Sequence, residues 1–360
     1  MSPPGIAPAP PPLDLPHAPE VRRILVMKWS ALGDVALASA AFEDIRGAFP
    51  RAALDLNILR PWDRLFAHDP RFERVLAPEV RDRGHPLRGT LSWLAQVRRG
   101  RYDLIIDLQS SDHSRLLLVL LWLTGGAPRY RIGHHRVFPY NIAPAPAAKP
   151  RHALDLMRAA LAAGGIEARA PRPVLHVPPR NRGRVQRLLA EHGVAQGRYA
   201  VFLPGCQARG YLKRWGARRY VALGLELREL GIPHVLLLGA ADEAEECREI
   251  RRCCGDFVVD LCGRTEVLDL PPLCEGARFV VANDTGTAHV GAAAGRPMVV
   301  VCGPTDPCRV RPAGPSVRAL QAPIYCAGCY RKDCSHHSCM MLVSPGQVIA
   351  ELRRLRALDG

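Results

Sequence analysis

Short apolar runs alternate with amphipathic stretches along this chain, and that rhythm sets the expected fold class. Ile24 to Met27 reads as a buried strand that passes through a polar turn into an amphipathic helix closed by Pro50. Ala53 to Leu59 reads as a second strand, followed by a basic helix-forming stretch, and Tyr102 to Gly126 repeats strand, turn and helix. The alternation restarts at Tyr199 to Gly205. It continues through His234 to Gly239 and Phe257 to Gly263, and ends on Val280 to Pro307, which holds strand, turn, helix start and strand in succession. Strands that alternate with helices predict α/β architecture with parallel sheets, here in two similar halves. Proline-rich segments at 143–152 and 169–182 mark the join. The expected division is a disordered proline-rich tail at 1–21, an N-terminal domain at 22–175, a second domain at 176–343 and an amphipathic C-terminal helix at 344–360.

Ligands of open α/β sheets bind beyond the carboxyl ends of the strands, so the turns after each predicted strand hold the candidate chemistry. After the first strand come Ser30, Gly33 and Asp34, the last either a helix cap or a carboxylate facing a cleft, ready to take a proton from a hydroxyl. Gln109 and Arg115 crowd the turn after Tyr102 to Asp107, and Arg131 and Arg136 fall in a basic run suited to an acidic acceptor. In the second half Lys213 follows a strand, where an ammonium can reach a diphosphate, and Glu243 stands where a carboxylate can accept ribose hydroxyls. Asp284, Thr285, Gly286 and Thr287 precede a helix of small residues containing His289, and unpaired amides at a helix start favour an anion. GPTDP, Gly303 to Pro307, predicts a rigid turn at the rim of a cleft. Neither GxxxxGK[ST] nor GxGxxG occurs, which argues against ATP hydrolysis and dinucleotide redox chemistry.

The formal charge of +15 over 360 residues adds an acidic partner: a phosphorylated substrate, an anionic membrane surface or nucleic acid. Scattered arginines rather than one dense stripe argue against nucleic acid. The longest apolar run, Leu116 to Leu123, falls short of the roughly 18 to 20 residues that span a bilayer and reads as a buried helix. The first 20 residues lack the basic start and apolar centre of a secretory signal, so a cytoplasmic location with reduced cysteines is expected. All twelve cysteines follow residue 200, and Cys326, Cys329, Cys334 and Cys339 are spaced C-x2-C-x4-C-x4-C. That set reads as a structural metal loop for zinc, or else iron, with free thiols and disulfides as the alternatives.

SALGD at 30–34, Lys213 with Trp215, the turn Gly239 to Glu243, NDTGTAHVGAAAG and GPTDP together resemble glycosyltransferase family 9, the ADP-heptose:lipopolysaccharide heptosyltransferases. The likeness runs from about Arg22 to Leu355. It implies a GT-B fold, two Rossmann-like domains facing across a cleft, with acceptor bound mainly by the first and nucleotide sugar by the second. It further implies inverting transfer of heptose from ADP-heptose to an acidic inner-core acceptor, Kdo or heptose, at the cytoplasmic face of the inner membrane, with no cofactor required for transfer. By the resemblance Asp34 is the general base. Lys213, Thr285, Gly286 and Thr287 hold the departing diphosphate, Glu243 the ribose, and Asp284 and His289 complete the donor pocket. In such enzymes the C-terminal helix often crosses back onto the first domain. The alternatives are a family transferase with another donor or a protein acceptor, and a non-catalytic binding protein of the same fold.

Overall fold

The computed structural model describes residues 13–81, 84, 86–145, 151–206 and 208–359. The first half forms β1 (Arg23–Met27), α1 (Leu32–Ala48), β2 (Ala53–Asn57), β3 (Arg74–Leu76), α2 (Pro86–Gly100), β4 (Leu104–Asp107), α3 (Asp112–Leu123), β5 (Tyr130–Ile132) and α4 (Ala153–Ala162). Its sheet is parallel throughout, in the order β3-β2-β1-β4-β5. The second half forms α5 (Pro179–Glu191), β6 (Tyr199–Leu203), α6 (Ala217–Glu229), β7 (His234–Leu237), α7 (Ala244–Cys254) and β8 (Val258–Asp260). It continues with α8 (Leu270–Glu275), β9 (Val280–Asn283), α9 (Gly286–Ala292), β10 (Met298–Cys302), α10 (Pro307–Val310), β11 (Val317–Gln321), α11 (Ser338–Met341) and α12 (Pro345–Arg354). Its sheet, also parallel, runs β11-β10-β9-β6-β7-β8.

Both sheets are buried on both faces, which is why their strands read as continuous apolar runs. Phe42, Phe66 and Phe72 meet edge to face on one side of the first sheet, with ring centroids 5.4 to 6.2 Å apart. Trp29, Trp93, Leu117, Leu118 and Leu121 fill the other side. In each sheet the strand order reverses at a crevice, between β1 and β4 in the first and between β6 and β9 in the second, and such reversals are where ligands bind.

The lobes meet at two helix starts. A Cβ built on Gly33 of α1 would stand 3.3 Å from the Gly286 Cα of α9, and one built on Gly286 would stand 3.0 Å from the Leu32 Cβ. Only glycine permits this approach, so both glycines serve the contact between lobes. Ala36 of α1 is buried in the core of the second lobe.

Four sequence expectations change here. The tail expected at 1–21 is partly structured: Leu15 and Val21 are apolar and buried in the first core, and Leu15 N bonds Gly164 O just beyond α4. Residues 1–12 lie outside the described residues. The helix α12 does not cross back; Val348, Ile349 and Leu352 pack into the second lobe's own core. The helix α3 is buried on one face only, since Leu116, Trp122 and Leu123 are exposed. Finally, the segment after α4 is no free hinge. Asp44 of α1 accepts from Arg169 N and Ala170 N at 2.7 and 2.8 Å, and Ser39 Oγ accepts from Val174 N, which ties it to the first lobe.

Candidate active site

The second lobe's half of the site is built on the end of β9. Asn283 is fully buried; its Oδ1 accepts from Trp215 N at 3.3 Å and Tyr220 OH at 3.2 Å, and its Nδ2 donates to Pro204 O. This amide joins the carboxyl ends of β6 and β9 to the loop that carries Lys213. Asp284, 2 % exposed, accepts from Lys213 Nζ at 3.0 Å and from Thr305 Oγ1 at 2.6 Å. A buried carboxylate with two donors is a positioning group, and it holds the half-exposed lysine over the start of α9. Thr285 and Thr287 share a hydroxyl hydrogen bond of 2.8 Å there.

Glu243 lies one strand over. Its Oε2 accepts from Ala240 N at 2.8 Å, and its carboxylate nests on two glycines: a Cβ on Gly205 would fall 1.8 Å from its carboxyl carbon, and one on Gly239 2.7 Å from Oε2. The glycines after β6 and β7 make the room this carboxylate occupies. One turn on, Glu246 has both oxygens buried without hydrogen bonds, and burial pushes its carboxyl up to about 7, with Arg214 at 3.8 Å opposing the shift.

Asp34 is exposed at the start of α1, where its Oδ2 accepts from Ala31 N at 3.1 Å. The cap and the cleft-facing carboxylate are compatible, because one oxygen caps while Oδ1 makes no hydrogen bond among the described residues. His289 reaches across from α9. A Cβ on Gly33 would touch its Cδ2 at 3.0 Å, and its buried Nδ1 has no partner among the described residues. Burial pushes this imidazole down, with Asp284 and Asp34 opposing.

The expected acceptor residues disperse. Gln109 Oε1 accepts from Trp29 N at 3.1 Å, which makes it a loop brace. Ser30 Oγ receives Arg81 Nη1 at 3.0 Å, and that guanidinium lies over Trp29 at 5.5 Å. Arg115 pairs with Asp112 at 3.4 Å, and Arg136 is exposed. Arg131 departs most from its expected role, since its guanidinium donates to Pro139 O at 2.6 Å and to Pro128 O. Sequence reasoning did not single out Lys28, Arg81, His134 or Thr305. Lys28 immediately follows an apolar strand and Thr305 lies inside the GPTDP turn, the signals that could have drawn attention to them.

Cys326, Cys329, Cys334 and Cys339 line a cavity of about 10 Å³ with Leu212, Pro304 and His337. The loop backs the donor site, because His337 Nε2 lies 2.6 Å from Leu212 O and Tyr330 N donates to Pro304 O at 2.6 Å. Four thiols around one ion-sized space suit zinc or iron. Among the described residues the ligand atoms lying within 4.8 Å of one another are those of Cys247, Asp260 and Cys262, so the loop sulfurs stand further apart than a bound ion would hold them.

Two parallel-sheet lobes that meet at the starts of α1 and α9 have the architecture of the GT-B class of glycosyltransferases. Residues 91–340 match the family model "Glycosyltransferase family 9 (heptosyltransferase)", and the chain belongs to that family. It is 26% identical over 325 residues to lipopolysaccharide heptosyltransferase 1 of Escherichia coli K12, covering 84% of this chain and 94% of that one. Among solved structures, the glycosyltransferase family 9 protein of Veillonella parvula superposes with a TM-score of 0.77 at 20% identity, covering 97% and 99% of the two chains. The E. coli heptosyltransferase WaaC with ADP gives 0.70 at 22% identity, covering 92% and 99%.

Proposed function

We propose that this enzyme transfers heptose, with inversion, from ADP-heptose to an acidic inner-core acceptor of lipopolysaccharide. The observation that supports the reading is the close approach of α1, which carries Asp34, to the start of α9, which follows Asp284 and its partner Lys213. Asp34 takes the proton of the acceptor hydroxyl, and the oxygen attacks the anomeric carbon. The bond from that carbon to the diphosphate oxygen breaks, its electron pair leaving with ADP. Lys213, the Thr285 and Thr287 hydroxyls and the first amides of α9 stabilise that charge, an electrostatic role that needs no bound metal. Glu243 receives the ribose hydroxyls. Relatives named lipopolysaccharide heptosyltransferase and a relative solved with ADP support donor and acceptor class.

The location proposed is the cytoplasmic face of the inner membrane. No helix among the described residues is long and apolar enough to cross it. The exposed Leu116, Trp122, Leu123 and Phe138, with Trp122 and Phe138 rings 5.1 Å apart, suit an interfacial contact, and the net positive charge suits anionic lipid. Cys326, Cys329, Cys334 and Cys339 would have to draw together to hold a structural zinc or iron behind the donor site.

ADP release measured with ADP-heptose against UDP- and GDP-sugars tests the donor. Turnover with another donor and none with ADP-heptose would overturn it. Asp34→Asn is expected to lower kcat by roughly 10²- to 10⁴-fold with ADP affinity retained.

A further inference from the structure

Three parallel strands side by side, β1, β4 and β5, end in or beside a group of charged and polar side chains that the transfer chemistry above does not use. Lys28 immediately follows β1, Asp107 ends β4, and His134 lies two residues beyond β5. Lys28 is 7% exposed, and its ammonium makes no hydrogen bond or ion pair among the described residues. The ammonium keeps some contact with solvent but has no protein partner among the described residues, and burial of the residue pushes its pKa down while Asp34 and Asp107 draw it back up. His134 repeats the pattern. Its Nε2 is buried without a partner, and burial, with the Lys28 charge second, pushes the imidazole down to about 4, so it is neutral near pH 7.

Asp107 is not the missing partner of either group. Its Oδ1 accepts from Gln109 N and Ser110 N at 2.9 Å each, and its Oδ2 accepts from Tyr140 OH at 2.6 Å. Its hydrogen bonds are made, and burial pushes its carboxyl up against them. Two groups able to donate are left without acceptors beside Asp34, on the lobe across from the donor cradle. An anion is the ligand that satisfies both.

We propose that Lys28 and His134 form a subsite for the carboxylate of a sugar-acid acceptor. It holds that sugar so that its attacking hydroxyl meets the outward oxygen of Asp34. The local charge selects a carboxylate over a phosphate dianion, because one ammonium and a neutral imidazole supply a single positive charge beside the Asp34 carboxylate. The inference rests on the transferase reading and deepens its acceptor half.

The test compares an acceptor ending in a sugar acid with the same acceptor converted to its neutral primary amide, using ADP-heptose as donor. The wild type is expected to favour the acid in kcat/KM by roughly 10- to 100-fold, the range of a charge-assisted hydrogen bond. Lys28→Met should bring the two within about threefold of each other, Lys28→Arg should keep most of the preference, and His134→Phe should lose part of it. If Lys28→Met slows both acceptors equally and leaves the preference intact, Lys28 acts on Asp34 and the subsite is overturned. ADP affinity and far-ultraviolet circular dichroism identify any variant that has not folded. Calorimetric titration of the two acceptors into wild type and Lys28→Met, without donor, reads the subsite independently of turnover. A wild type that binds the acid and not the amide but transfers nothing would sink the donor reading alone, whereas equal binding of both would sink the subsite.

Discussion

Single residues in this site do their work through what surrounds them. Asp284 stood out in the sequence as a candidate donor contact, yet its buried Oδ2 is taken by Lys213 and Thr305, so its effect on a ligand passes through the lysine. Glu246 drew no attention in the sequence, where it is one acid among several on a polar helix. Folding buries both its oxygens and pushes its carboxyl from the ordinary 4.5 to about 7. A carboxyl whose folded pKa lies above its unfolded one keeps its proton longer in the native state. Its contribution is fully present below about pH 4.5 and is lost as pH rises toward 7, a penalty of up to roughly 3 kcal/mol. Glu246→Gln should therefore flatten the fall in Tm between pH 5 and pH 8. Unchanged pH dependence in melts of the two proteins would show that another group carries it.

Between elements, the contact of α1 with α9 is the feature on which transfer depends. Both helices begin with residues small enough for close approach, and the sequence displays this as SALGD and NDTGT without stating that the two motifs touch. The reading of Gly33 as an acceptor residue and of Gly286 as a phosphate residue overlooked that each faces the other lobe. Gly33→Val places branched atoms against the His289 ring and the Gly286 backbone. Overpacking of this kind costs about 1 to 3 kcal/mol and should hold the lobes apart. ADP affinity is expected to stay within about threefold of wild type while kcat falls about tenfold or more, since misplacement of reacting groups is heavily penalised. Equal loss of both would locate the damage inside the donor lobe instead. Strands the periodicity did not reveal are the edge strand β11 and, three residues each, β3 and β5. Runs that short have no readable alternation, and they become strands because a longer parallel neighbour offers its edge.

Across the whole molecule, a buried carboxylate anchors the start of the segment between the lobes, with Ser39 and Arg71 holding it at Val174. Asp44, 1 % exposed, accepts from Arg169 N, Ala170 N and Arg158 Nε. Asp44→Ala leaves two amides unpaired and leaves the Arg158 guanidinium only its bond to Ala170 O, at an expected cost of about 2 to 4 kcal/mol in urea unfolding. A loss below about 0.5 kcal/mol would mean that the segment is anchored elsewhere. The sequence alone determined the two α/β halves, the strand-end position of Asp34, Lys213, Glu243 and the 284–287 turn, and the resemblance to a transferase family. These are local properties, because periodicity, turn chemistry and spacing act within about thirty residues. Only the tertiary structure decided which helix starts meet, that α12 stays with its own lobe, that Arg131 clamps loop carbonyls, and that Lys28 Nζ and His134 Nε2 have no partner among the described residues. Each of these depends on burial and on distances between residues far apart in the chain, and linear order does not encode them.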